Sequence, residues 1–129
     1  MPSESTLGIY IHVPFCVRKC PYCDFYSVPQ TAERMEQYGT ALCRFLRQMQ
    51  TDLPVDTIYF GGGTPSLLPV SLLEEILQTI AGTVSLRQPE ITLECNPATV
   101  NRETLRQLRE IGINRLSIGV QSLSDVQLK

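Results

Sequence analysis

Apolar and polar residues alternate over Leu7–Val13, with Ile9, Ile11 and Val13 on one face and Tyr10 and His12 on the other. This period of two predicts a strand, ended by Pro14. Further on, Tyr38, Ala41, Leu42, Phe45, Leu46 and Met49 recur at steps of three and four. That spacing predicts a helix over 32–50 with these residues as its buried stripe, stopped by Asp52 and Pro54. A second strand is expected over 55–60, cut off by Gly61-Gly62-Gly63. Ser71 and Glu74 have the spacing of a capping box ahead of Leu72, Leu73, Ile76, Leu77 and Ile80, with Gly82 closing that helix. A third strand over 90–94 ends at Asn96-Pro97. A helix starting near Asn101 then buries Leu105, Leu108 and Ile111 and stops at Gly112. The fourth strand falls within 113–120, and Ser124 with Gln127 suggests the cap of another helix.

The order β-α-β-α-β-α-β-(α) is that of right-handed parallel crossovers, so the expected class is α/β with a parallel sheet. Each conspicuous motif follows the C-terminal end of a strand: the cysteines after the first, the glycines after the second, Glu94 at the third, Gln121 at the fourth. In parallel α/β folds that edge binds ligands. An element that begins at Ser124 and reaches Lys129 should continue, so residues 1–129 read as the N-terminal part of a larger protein.

Composition narrows the function classes. Eleven basic against thirteen acidic residues, net charge −2, give no basic footprint for nucleic acid. No apolar run approaches a membrane span, and the first eight residues lack the basic start and apolar core of a secretory leader. Of five cysteines, Cys16, Cys20 and Cys23 crowd together while Cys43 and Cys95 stand apart, which argues against a disulfide framework. Free thiols fit a reducing cytoplasm, the expected location.

Cys16, Cys20 and Cys23 have the spacing C-x3-C-x2-C. Three thiolates can hold a [4Fe-4S] cluster and leave one iron for a bidentate ligand offering an amine and a carboxylate. Arg18 and Lys19 place positive charge beside an anionic cluster, and Tyr22 stands between the last two thiols. Two other readings are open. Zinc prefers four ligands in a closed site, and His12 is the one upstream candidate for the fourth. A Cys20/Cys23 redox dithiol is the other, although it leaves Cys16 unexplained.

The run Gly61-Gly62-Gly63-Thr64 is neither a phosphate loop nor G-x-G-x-x-G. Consecutive glycines let backbone approach a ligand and expose N–H and C=O groups, or they make a sharp turn. Glu94 at a strand end can accept two hydrogen bonds from ribose hydroxyls, or be a solvated acid. His12 shares a face with Tyr10 and is either a group in the mouth of the sheet or a satisfied core histidine. Cys43 and Cys95 are expected to pack in the core, Cys95 against a helix.

Tyr10-Ile11-His12-Val13-Pro14-Phe15-Cys16 through Cys23-Asp24-Phe25, with the later segments, resembles the radical S-adenosylmethionine (radical SAM) superfamily. Within it the chain resembles the oxygen-independent coproporphyrinogen III oxidase group, and most of all its heme-chaperone branch. The resemblance runs from Leu7 to the end. It implies that residues 1–129 are the N-terminal part of an incomplete (β/α)6 barrel, the radical SAM core domain, whose remaining strands and C-terminal domain lie outside this sequence. It also implies Cys16, Cys20 and Cys23 as ligands of a [4Fe-4S] cluster whose fourth iron chelates S-adenosylmethionine. Reductive cleavage of that cofactor in the superfamily gives a 5'-deoxyadenosyl radical. Tyr10, Tyr22, Gly62, Gly63, Thr64, Glu94 and Gln121 would contact S-adenosylmethionine, with His12 a candidate catalytic group near the sulfonium.

The dehydrogenases of the group carry a further cysteine two residues after the third ligand, where this chain has Phe25. That departure favours the heme-chaperone branch, which implies heme binding by the full-length protein, an acceptor hemoprotein and an electron donor. The alternatives are a coproporphyrinogen III dehydrogenase of porphyrin biosynthesis and an electron-transfer or structural cluster protein.

Overall fold

Alternation in the first strand sets the layout of the whole sheet. The computed structural model describes residues 5–15 and 31–118. Strand β1 (Leu7–Val13) is followed by helix α1 (Ala32–Arg47), strand β2 (Val55–Gly62), helix α2 (Val70–Thr83), strand β3 (Leu86–Cys95), helix α3 (Arg102–Glu110) and strand β4 (Arg115–Ile118). Short 3-10 turns, Pro65–Leu67 and Pro97–Thr99, follow β2 and β3. The four strands lie in the order β1-β2-β3-β4 and every pairing is parallel. The expected α/β architecture of parallel β/α units is therefore present, as the N-terminal portion of an incomplete barrel.

The helices cover one face. Ile11 and Val13 of β1, Ile58 and Phe60 of β2, and Ile91 and Leu93 of β3 form one core with Cys43 and Leu46 of α1, Leu73, Ile76, Leu77 and Ile80 of α2, and Leu108 of α3. The alternate residues point to the opposite face. Register pairs Tyr10 with Tyr59 and His12 with Gly61 across β1 and β2, then Tyr59 with Thr92 and Glu94 with Ser117 across β2, β3 and β4. One side of each strand is thus devoted to packing, and the other, polar and aromatic, faces the concave side where a barrel interior forms.

Several local expectations are corrected. α1 buries Gly39, Cys43 and Leu46, with Met35, Tyr38 and Leu42 partly covered, while Ala41 is exposed and Phe45 is 66% exposed. The stripe is rotated because the helix approaches Leu72 of α2 through Gly39, a small residue that a search for large side chains passes over. α1 ends at Arg47 rather than 50, where Gln48 and Met49 N–H groups bond back to Phe45 and Leu46 carbonyls at 3.1 Å and tighten the last turn.

No capping box opens α2. Pro69 is its N-cap residue and Ser71 lies inside the first turn, where Leu72 and Leu73 N–H groups bond to the Pro69 carbonyl at 3.0 and 3.1 Å. The fixed φ of Pro69 carries the chain into the helix before Ser71 is reached. Gly82 does not close α2 either; the helix runs to Thr83, and Val84 caps it by bonding to the Ile80 carbonyl.

β2 continues into Gly61 and Gly62, and β3 starts at Leu86, well ahead of 90, because pairing of Val55 with Leu86 extends the ladder past a bulge at Gln88 (φ 37°). Asn101 caps α3 by accepting from the Thr104 N–H at 2.8 Å, and Gly112 ends it at φ 115°, as expected. Leu108 is buried but Leu105 is 37% exposed, so α3 is covered along only part of its stripe. Within the described residues β4 covers Arg115–Ile118, inside the expected range, with Ile113 buried ahead of it. The cap expected at Ser124 and Gln127 lies outside the described residues.

Candidate functional site

The concave face gathers side chains from all four strands at their C-terminal ends. Tyr10 stacks on Tyr59 with ring centroids 5.6 Å apart and an interplanar angle of 11°. Gly61 makes this possible: a Cβ there would lie 2.5 Å from the Tyr10 hydroxyl oxygen and 2.9 Å from Tyr59 Cε1. The pair forms a flat shelf, with Tyr10 61% exposed.

Glu94 stands at the end of β3, half-buried, and each carboxylate oxygen accepts one hydrogen bond. Tyr59 Oη donates to Oε2 at 2.7 Å and the Gly62 N–H donates to Oε1 at 3.1 Å. The nearby carboxylate, accepting the phenolic proton, holds the Tyr59 pKa above its ordinary value, and the Ser117 hydroxyl acts in the opposite direction. Both of these donors, a phenol and a backbone amide, are neutral.

At Gly62 the backbone turns with φ 108°, and a Cβ there would lie 2.7 Å from His12 Cε1 and Nδ1. Only glycine is comfortable with that φ beside that ring. His12 is exposed on the concave face, so the core-histidine reading is set aside. The next two N–H groups tie down the chain leaving β1: Gly63 N–H bonds to the Val13 carbonyl at 2.7 Å and Thr64 N–H to the Phe15 carbonyl at 2.6 Å. With Gly62 N–H on Glu94, these three N–H groups are all engaged within the protein. The expectation that the glycine run exposes N–H groups to a ligand is corrected accordingly, because those N–H groups hold the site together.

Phe15, the residue before Cys16, is fully buried and meets Tyr38 edge-on with centroids 5.6 Å apart. Tyr38 also donates its hydroxyl to the His12 carbonyl at 2.6 Å, and burial pushes its pKa upward. Both sides of the residues that lead into the cysteine segment are therefore anchored, by α1 and by the glycine turn. Below the site, Ser66 Oγ contacts Thr99 Oγ1 at 2.5 Å and accepts from Asn96 N–H at 3.1 Å, joining the turns after β2 and β3.

The structure brings together Tyr10, His12, Gly62, Gly63, Thr64 and Glu94. Cys16, Cys20, Tyr22, Cys23 and Gln121 lie outside the described residues. Cys43 packs in the core as expected, and Cys95 is buried beside the turn carrying Ser66, with burial raising its thiol pKa. Neither is presented to the concave face. Sequence reasoning missed Tyr59, Ser117 and Tyr38. Tyr59 precedes Gly61 by two and so shares its face; Tyr38 falls on the apolar stripe of α1, although its hydroxyl ends at a main-chain carbonyl.

A model of the radical SAM superfamily matches residues 10–129. The chain belongs to the radical SAM superfamily. It is 38% identical over 140 residues to the heme chaperone HemW of Haemophilus influenzae, covering 100% of this chain and 36% of that protein. With the heme chaperone HemW of Escherichia coli it shares 39% identity over 130 residues, 95% of this chain and 34% of the relative. The solved structure of coproporphyrinogen III oxidase (HemN) from Escherichia coli, a radical SAM enzyme, superposes with a TM-score of 0.80 at 28% identity, covering 91% of this chain and 28% of that one. The chain thus spans about a third of the length of these curated relatives.

Membership of the radical SAM superfamily implies a [4Fe-4S] cluster and S-adenosylmethionine. The donor set fits this pair: three closely spaced thiols follow a firmly anchored Phe15, and a carboxylate and an aromatic shelf lie on the adjoining concave face. Among the described residues, no helix is long and apolar enough to cross a membrane, and no group of three or more His, Cys, Asp or Glu could hold a metal ion.

Proposed function

We propose that this chain is the N-terminal, cofactor-binding part of a radical SAM protein of the heme-chaperone type, working in a reducing cytoplasm. Cys16, Cys20 and Cys23 hold a [4Fe-4S] cluster, which supplies an electron and an open iron for the amine and carboxylate of S-adenosylmethionine. Tyr10, Tyr22, Gly62, Gly63, Thr64 and Gln121 line the cofactor, Glu94 accepts from its ribose hydroxyls, and His12 faces the reacting end. The full-length protein binds heme and passes it to an acceptor hemoprotein, with an electron donor serving the cluster.

The heme-chaperone branch rests above all on one observation: the heme chaperones of Haemophilus influenzae and Escherichia coli match nearly the whole chain at 38% and 39% identity, above the 28% of the structurally related oxidase. Phe25, in place of the dehydrogenases' extra cysteine, agrees with it. A second reading, an oxygen-independent coproporphyrinogen III oxidase, is favoured by the close superposition on that enzyme.

Anaerobic reconstitution of the full-length protein tests both. Iron and sulfide should reach cluster stoichiometry and fall sharply in C16A, C20A and C23A, and S-adenosylmethionine should change the EPR spectrum of the reduced cluster. Saturable heme binding without conversion of coproporphyrinogen III supports the chaperone; vinyl-bearing product without heme binding supports the oxidase. A cluster indifferent to S-adenosylmethionine, with neither activity, would leave electron transfer as the function.

A further inference from the structure

We propose that Tyr59 is a positioning residue that fixes the Glu94 carboxylate so that its free lone pairs address a vicinal diol. The inference rests on the reading of Glu94 as the ribose acceptor and adds to it a residue that none of the motifs singled out.

A carboxylate has two oxygens and about four lone-pair sites. In Glu94 each oxygen already accepts one donor, Tyr59 Oη on Oε2 at 2.7 Å and Gly62 N–H on Oε1 at 3.1 Å. Two such anchors stop the group from rotating about its terminal bond and, among the described residues, leave one acceptor site on each oxygen. A pair of acceptors held in one plane suits two neighbouring hydroxyls, one for each oxygen. A carboxylate free to rotate would have to be ordered when ligand binds, which weakens affinity.

Tyr59 is itself held. Its ring lies against Tyr10 at 5.6 Å, in a space that exists because Gly61 lacks a Cβ. Ser117 of β4 stands opposite Glu94 in the register of the sheet. Neutral donors orient Glu94 without cancelling its charge, as an arginine would, so it remains a strong acceptor for hydroxyl groups.

The test uses the full-length, cluster-loaded protein and isothermal titration with S-adenosylmethionine and with its analogue lacking the ribose 2'-hydroxyl. Tyr59→Phe keeps the ring and its stack on Tyr10 and removes only the hydroxyl. It is expected to weaken S-adenosylmethionine binding about tenfold, the scale of one charge-assisted hydrogen bond, and to narrow the preference over the deoxy analogue. In Glu94→Gln that preference is expected to disappear, and adding Tyr59→Phe to it should cost little more.

Wild-type affinity and preference in Tyr59→Phe, with Glu94→Gln impaired, would overturn the role of Tyr59 and leave Glu94 as the ribose acceptor. Equal weakening of both ligands in Tyr59→Phe would also overturn it, since that is the mark of a general structural defect. Unchanged binding in Glu94→Gln would remove the ribose reading and the proposal together.

Discussion

Tyr10 and Tyr59, on neighbouring parallel strands, lie face to face with centroids 5.6 Å apart and planes 11° apart, directly over the Gly61 backbone. The pair ties β1 to β2 on the face opposite the core, and its outer ring, Tyr10, is 61% exposed. G61A tests this relationship. The added methyl would meet the Tyr10 hydroxyl oxygen at 2.5 Å and Tyr59 Cε1 at 2.9 Å, so the rings must lift. Overpacking of this kind costs about 1–3 kcal/mol. Thermal unfolding should show that loss, and S-adenosylmethionine binding should weaken with it.

Tyr38 joins α1 to the end of β1 through the His12 carbonyl at 2.6 Å. Y38F removes one hydrogen bond and should destabilise the fold by about 1 kcal/mol in urea unfolding. Cluster retention should decline as well, because the bond anchors the chain four residues ahead of Cys16.

The same tyrosine sets an alkaline limit. Burial raises its folded-state pKa above the ordinary 10.0, so the folded state keeps its proton at a pH where the unfolded chain has lost it. Stability is then complete below about pH 10 and falls as pH rises from there toward the folded-state pKa. Tyr59 shifts in the same direction, with Glu94 as the main cause. Chemical denaturation as a function of pH should show this decline in wild type and a shallower one in Y38F.

Phe15 is the last described residue before the cysteine segment, and it is fully buried against Tyr38. F15A should cost about 3–5 kcal/mol. F15L, which retains most of the volume, should remain folded and load its cluster better than F15A, as measured by bound iron per chain.

The five cysteines should separate into two groups. C43A and C95A remove thiols packed in the interior, so they are expected to lower stability by about 1–2 kcal/mol and leave iron content at the wild-type level. Iron loss in either variant equal to that in C20A would contradict the assignment of Cys16, Cys20 and Cys23 as the ligands.

Much of this was legible along the chain. Alternation at Ile9, Ile11 and Val13 gave β1 its ends and its two faces, and the Asn101 cap and Gly112 gave α3 its ends, because such signals depend on residues a few positions apart. The glycine turn after β2 and Glu94 at the end of β3 were equally local, while the cysteines and Gln121 lie outside the described residues. Other features depended on partners far away in sequence. The face that α1 buries was decided by Leu72 meeting Gly39, and the length of β3 by its ladder with β2. The start of α2 followed the fixed backbone of Pro69 rather than its cap-like serine. Glu94 could be placed at a strand end from the sequence, but its donors could not, since Tyr59 lies 35 residues away and Gly62 lies 32 away. Periodicity reports which side of an element a residue occupies; only the register of parallel strands, set by packing across the whole sheet, determines which side chains from separate strands come within hydrogen-bonding distance.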